Sequence, residues 1–187
     1  EALPDLQHKL VIGFVGFCRE WHGLDRVLTL MAKLANPKLF FLIIGDGPAI
    51  AGLKQQAAEL QISQQIFVSG LVNRDDMPHW LAQMDIALQP DVVPYASPLK
   101  MLEYMYMAKA IIAPDTANIR ELLQHKFNAL LFDPADANSF THCLNQLCDQ
   151  PELVTELGNN AKQSILQHKL TWANNASRIV QQYELCR

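Results

Sequence analysis

The chain has 187 residues, half of them apolar, which is enough for one domain with a full hydrophobic core. A net charge of −4 without any long Lys/Arg block excludes a general binder of nucleic acid or other polyanions. No apolar run approaches the length of a membrane span, and residues 1–15 lack the form of a signal peptide.

The run Leu10-Val11-Ile12-Gly13-Phe14-Val15-Gly16 predicts a strand buried on both faces, as in a parallel sheet. Leu24, Val27, Leu28, Met31 and Leu34 then recur at helical period and predict a helix over 24–34. A second strand is predicted over 39–45, followed by the turn Asp46-Gly47-Pro48 and a helix over 49–60. Ile66-Phe67-Val68 predicts a short third strand, and Asn73-Arg74-Asp75-Asp76 is expected to cap a helix over 77–83. The fourth strand is predicted over 86–88. Pro90, Pro94 and Pro98 then carry the chain to a helix beginning at Leu99, with Ser97 as its cap. Ala110 to Ala113 and Ala129 to Phe132 predict two more strands around a short helix near 119–123, capped within Asp115-Thr116-Ala117-Asn118. Helices over 135–148, 151–167 and 171–186 close the chain.

Six strands alternating with helices imply an α/β fold: a Rossmann-like parallel sheet with helices on both faces and a helical carboxy-terminal tail. Ligands of such sheets bind at the carboxyl ends of the strands, so the loops after Gly16, Gly45, Val68, Leu88 and Ala113 are the places to search. In the first, Gly16 permits close backbone approach, while Arg19 and His22 offer donors suited to phosphate oxygens. A loop arginine in water and a packing Trp21 describe the same residues equally well. The loop is no dinucleotide fingerprint, because the glycine spacing differs and no acid closes the second strand. Ser69 to Arg74 supplies flexible backbone able to read the edge of a base. The Ser97-Pro98-Leu99 turn brings Lys100 and Glu103 onto one face of a first helical turn, where a phosphate and a sugar hydroxyl can be held together. A solvated Lys/Glu pair is the plainer reading of those two residues. The histidines at 8, 79, 125, 142 and 168 stand apart from these loops. Cys18, Cys143, Cys148 and Cys186 lack zinc-like spacing and read as reduced thiols in a cytoplasmic setting.

Taken in order, the motifs resemble the retaining glycosyltransferases of family 4, in the carboxy-terminal, donor-binding half of their two-domain GT-B fold. They are Gly-Phe-Val-Gly (13–16), Trp21-His22-Gly23, Gly45-Asp46-Gly47-Pro48, Val68-Ser69-Gly70, Met84-Asp85-Ile86-Ala87, Ser97-Pro98-Leu99-Lys100 with Leu102-Glu103-Tyr104-Met105, and Ala113-Pro114. Thr171-Trp172 and Tyr183 resemble the ends of that family's closing helix. The resemblance implies that Glu103 binds the ribose hydroxyls and that Gly16, Tyr95, Ser97, Pro98 and Leu99 surround the donor. It places the base against the backbone of Leu71 and Val72, and gives Arg19, His22 and Lys100 catalytic roles at the diphosphate. It also implies a front-face displacement assisted by the leaving diphosphate, with no metal and no cofactor.

The pattern departs from the family where Tyr95 replaces the usual first glutamate, Phe17 the frequent arginine, and His22 the lysine. Arg19 and Lys100 are expected to restore that charge. The resemblance further implies a nucleotide-sugar partner, with uridine or guanosine as base, and a glycan or lipid-linked acceptor held by an amino-terminal domain absent from these residues. On this reading residues 1–187 are the donor domain of a polysaccharide-building, cytoplasmic enzyme, able to lie peripherally on a membrane in its full-length form and inactive as this polypeptide alone. A GT-B nucleotide-sugar epimerase and a non-catalytic binding module are the competing readings. Trp172, Ala176, Ile179, Val180 and Tyr183 are expected to form an exposed stripe.

Overall fold

The structure is a computed structural model and describes residues 3–93, 97 and 99–186. Six parallel strands form one sheet: β1 (Leu10–Val15), β2 (Leu39–Ile44), β3 (Ile66–Val68), β4 (Ile86–Leu88), β5 (Ala110–Pro114) and β6 (Leu130–Phe132). Their spatial order is β3-β2-β1-β4-β5-β6. The chain therefore winds outward from β1 to β3 and returns to lay β4 on the other side of β1. That reversal between β1 and β4 is the switch point at which such sheets bind ligands.

Every residue of β2 and all but Leu10 of β1 are buried, because helices cover both faces. Ile12, Phe14, Leu39, Phe41 and Ile43 point to one side. There they meet α1 (Leu24–Leu34), α2 (Ile50–Glu59) and α6 (Ser139–Asp149). Val11, Val15, Phe40, Leu42 and Ile44 point to the other, against α3 (Met77–Ala82), α4 (Lys100–Tyr106) and α5 (Ala117–Arg120). Helix α7 (Pro151–Gln167) serves both cores, with Leu157 in the first and Ala161 and Ile165 in the second. Period-2 alternation within a wholly apolar run is what a doubly covered strand requires. The last helix, α8 (Trp172–Leu185), buries no residue.

β1 has six residues and β4 only three, so β1 outlasts its neighbour at both ends. Side chains finish the ladder. The Val11 N–H donates to Asp85 Oδ2 at 2.8 Å, and the Val15 N–H donates to the Tyr104 hydroxyl at 2.9 Å. A buried N–H left without an acceptor costs about 1–3 kcal/mol, so both closures matter to the sheet centre.

The predicted strands lie where expected. Helix α3 starts at Met77 as expected, with Asp76 of the Asn73–Asp76 run at its cap position, whereas α4 has Leu99 rather than Ser97 there; both cap residues are in helical conformation and without side-chain cap bonds. Backbone turns supply the early acceptors instead, as when the Leu99 N–H donates to the Ser97 carbonyl at 2.9 Å. Asp115 likewise accepts two bonds from Arg120, at 2.5 and 2.6 Å, leaving Thr116 at the cap position of α5 without a cap bond. Helix α6 starts at Ser139 rather than 135, after a turn in which the Ala135 N–H donates to Asp133 Oδ1.

Candidate functional site

The loop after β1 rests directly on the loop after β2. The Gly16 N–H donates to the Ile44 carbonyl at 3.0 Å, the Cys18 N–H to the Asp46 carbonyl at 2.7 Å, and the Ala49 N–H to the Cys18 carbonyl at 3.2 Å. This backbone seat has no room for side chains. A Cβ on Gly45 would lie 2.1 Å from the Gly16 carbonyl oxygen, and one on Gly47 would lie 2.2 Å from that of Cys18. Both glycines also hold φ near +140°, which other residues rarely adopt. The turn Gly45-Asp46-Gly47-Pro48 is thus the support of the first loop. Asp46 itself is spent within the turn, its Oδ1 accepting from the Gly47 N–H at 2.7 Å.

Lys100 reaches across from α4 to that loop. Its ammonium lies 3.9 Å from the centroid of the Phe14 ring and 3.2 Å from where a Cβ on Gly16 would stand. Neither of the two salt bridges among the described residues involves it. Burial holds Lys100 down to a pKa of about 8, opposed by the nearby Cys18 and Glu103. Such a cation, stripped of part of its water and with Glu103 near it but in no salt bridge among the described residues, is a ready partner for an anion.

His22 is buried beside it, edge-on to Phe14 at 4.9 Å and against Trp21 at 3.8 Å. Its Nδ1 accepts the Arg19 N–H at 3.1 Å, which leaves the proton on Nε2. Burial, joined by the positive charge of Lys100, pushes its pKa down to about 4. His22 is therefore a neutral hydrogen-bond donor at physiological pH and brings no positive charge. Arg19 bears on this cluster through its backbone N–H and through its charge, which also lowers the His22 pKa. Its guanidinium sits 5.1 Å from the Phe17 ring centroid, and the residue lines a groove between the first turns of α1 and α2. Trp21 is half-exposed rather than a core residue.

Glu103 stands one turn after Lys100 on α4, exposed as a residue but with its carboxyl partly shielded from water. Burial of its carboxyl raises its pKa, and the charges of Arg74 and Lys100 oppose that rise. Arg74 thus faces Glu103 electrostatically, a neighbour that sequence reasoning treated as loop backbone. A lone cation in the loop opposite the only acid of the α4 turn was the available signal. Leu71 is fully open and Val72 partly packed on the second core, in a loop tied to β2 by the Gly45–Gly70 bridge. Ser97 and Leu99 are exposed at the approach to α4. Tyr95 and Pro98 lie outside the described residues. His22, Lys100 and Glu103 are brought together with Gly16 at the switch point, Arg19 bears on His22 through both its backbone N–H and its charge, and Leu71 and Val72 stand in the loop after β3. No group of three or more potential metal ligands occurs among the described residues. None of the described helices is long and apolar enough to cross a membrane.

Residues 3–164 match the model of the glycosyl transferases group 1, and the chain belongs to that family. The fold is the Rossmann-like half-domain of a GT-B glycosyltransferase, and these residues correspond to its carboxy-terminal half. It superposes on the Anabaena protein Alr3699/HepE, solved with UDP, with a TM-score of 0.85 at 18% identity over 96% of this chain and 50% of that one. It also superposes on the C-terminal domain of a group 1 glycosyl transferase, LpcC, from Francisella tularensis, with a TM-score of 0.74 at 19% identity over 84% of each chain. In sequence it is 26% identical to an N-acetyl-alpha-D-glucosaminyl L-malate synthase of Bacillus anthracis, over 94% of this chain and 44% of the relative. The chain spans less than half the length of the curated relatives it matches.

Proposed function

We propose that this chain is the donor-binding half of a retaining glycosyltransferase, which moves a sugar from a nucleoside diphosphate sugar to a glycan or lipid-linked acceptor. The observation that carries the reading is Lys100: an ammonium with no salt bridge among the described residues, partly desolvated, set against the Gly16 backbone at the β1/β4 switch point. Helix α4 has only seven residues, so the charge that meets the diphosphate comes from Lys100 more than from the helix mouth. His22 adds a neutral Nε2–H donor, which stabilises charge growing on the leaving diphosphate without itself giving up a proton. Glu103 takes the ribose hydroxyls, and the backbone at Leu71 and Val72 meets the base. The complex of the Anabaena neighbour with UDP supports uridine as that base. Positive charge and N–H groups do the work that a divalent metal does elsewhere, so donor binding needs no metal. The acceptor is held by another domain of a longer protein, and this polypeptide alone does not turn over.

Calorimetry with UDP and GDP tests the reading. Binding of either that survives a chelator and weakens at least tenfold in Lys100→Ala is the expected result. Equal affinity in that variant, or binding that appears only with magnesium or manganese, overturns it. Turnover by residues 1–187 at the rate of a longer form would remove the two-domain part of the proposal.

A further inference from the structure

Helix α4 carries a second polar group aimed inward, and the donor-binding reading assigns it no role. Tyr104 is wholly buried, yet its hydroxyl is not spent on solvent or on its own helix. It accepts the Val15 N–H at 2.9 Å, the N–H that β4 is too short to reach. Val15 is the last residue of β1 and adjoins Gly16. Tyr104 also follows Glu103 directly and lies one helical turn beyond Lys100, so Lys100 and Tyr104 share the inner face of α4. That face thus meets three consecutive residues of the strand end: Lys100 at Phe14 and Gly16, and Tyr104 at Val15.

A hydrophobic contact between a helix and a sheet resists separation but tolerates small slides and rotations, because its energy follows area rather than direction. A hydrogen bond at 2.9 Å to one backbone N–H has a direction and fixes both. Met101 and Met105, the other buried residues of α4, are flexible side chains that adapt to a shifted helix and cannot set its register. The Tyr104 hydroxyl is therefore the directed contact between α4 and the end of β1, beside the packing of α4 on α7 and β5. The orientation of α4 about its axis decides where the Glu103 carboxylate and the Lys100 ammonium stand relative to Gly16.

We propose that Tyr104 is a positioning residue of the donor site, whose hydroxyl locks α4 to the end of β1 so that Lys100 and Glu103 meet the diphosphate and the ribose together. The proposal rests on the donor-binding reading for its ligand and on the Val15–Tyr104 bond for its mechanism. Removal of the hydroxyl leaves the ring and its packing in place but frees α4 to turn. Lys100 then leaves its seat over Phe14 for water, and Glu103 loses its angle to the ribose.

The test compares Tyr104→Phe with Asn128→Ala, which removes another buried hydrogen-bonding side chain. Asn128 Nδ2 donates to Ser164 Oγ at 3.0 Å, on α7, the helix that packs against α4, so this variant bears on that packing without touching the Val15–Tyr104 bond. Two readouts are taken beside thermal unfolding: the NMR titration of the Lys100 Nζ in the free protein, and calorimetry with UDP and 2′-deoxy-UDP. In Tyr104→Phe the Lys100 titration should rise from about 8 toward the ordinary 10.5, UDP should bind about tenfold more weakly, and the preference for UDP over its deoxy form should shrink severalfold. Asn128→Ala should lower the melting temperature and move neither readout. A Tyr104→Phe protein that melts earlier but titrates and discriminates like wild type would reduce Tyr104 to a core residue and overturn the proposal. Failure of the wild type to bind UDP would remove the donor reading instead, and the Lys100 titration would still decide for or against Tyr104.

Discussion

Helix α4 has seven residues and buries Met101, Tyr104 and Met105 completely, whereas α8 has fourteen and buries none. At about 1.5–3 kcal/mol for each large side chain taken from water, α4 is held by several kilocalories of apolar contact, and its tyrosine adds a directed bond. Trp172, Ile179, Val180 and Tyr183 of α8 repeat at helical spacing, but their stripe faces solvent, with Trp172 84% exposed. Its one capping bond, from the Asn174 N–H to the Thr171 hydroxyl at 3.2 Å, adds about 1 kcal/mol. An apolar stripe thus records that a face is made to be covered, without recording by what. The chain covers one of these two faces itself.

The largest expected effect breaks the site side of this contrast. Gly47→Ala puts a methyl group against the Cys18 carbonyl at a backbone angle that alanine avoids, and should cost about 3 kcal/mol in denaturant unfolding. Next is Lys100→Ala, which should weaken a nucleoside diphosphate by about 2 kcal/mol, roughly thirtyfold, and a nucleoside monophosphate by less, as calorimetry would read. Equal losses for the two ligands would move Lys100 away from the diphosphate.

A smaller effect comes from pH. Burial holds Lys100 at about 8 in the fold against an ordinary 10.5, so the folded chain binds fewer protons than the unfolded one between those values. Its contribution to stability therefore rises with pH across that window. Affinity for a diphosphate should run the other way, falling about tenfold from pH 7 to 9 as the ammonium is lost. Lys100→Arg should flatten that fall. For His22 the folded value is about 4 and the ordinary one 6.5, so stability should drop as pH falls through that interval, and His22→Gln should remove that component.

Smallest of all is the effect on the tail. Replacing both Trp172 and Ile179 with serine should change unfolding stability by less than about 0.5 kcal/mol, since neither side chain is buried. The same pair should lower self-association in sedimentation experiments, because it cuts the exposed stripe. A large loss of stability would show that α8 is packed after all.

Strand positions were legible because an unbroken apolar run such as Leu39 to Ile44 has few alternatives once helices flank it. The order of motifs likewise pointed to the family and to Lys100 and Glu103. Helix starts were less legible: Ser97 is a favoured cap type, but the local turn satisfied a free N–H group through a backbone carbonyl first. Gly45 and Gly47 read as an ordinary turn, because what makes them necessary is a carbonyl from residues 16–18, on another strand's loop. His22 was read as a donor to phosphate oxygens, and its burial and its bond from Arg19 show that it is a neutral donor through Nε2. The Tyr104 hydroxyl was invisible for a related reason. Its partner is an N–H orphaned by the difference in length between two strands, 89 residues away in sequence.

The seat made by Gly45 and Gly47 has one more consequence. Because the path of residues 16–18 is stored in main-chain contacts, the exposed side chains in and just after it, Phe17, Arg19 and Glu20, bear little of the fold's weight. The segment is built like a socket: its shape is fixed by the backbone and its surface chemistry is interchangeable. Directed evolution of acceptor or donor preference can sample those three positions at little cost to folding, a freedom that the buried Cys18 and His22, and Trp21 packed on His22, do not offer.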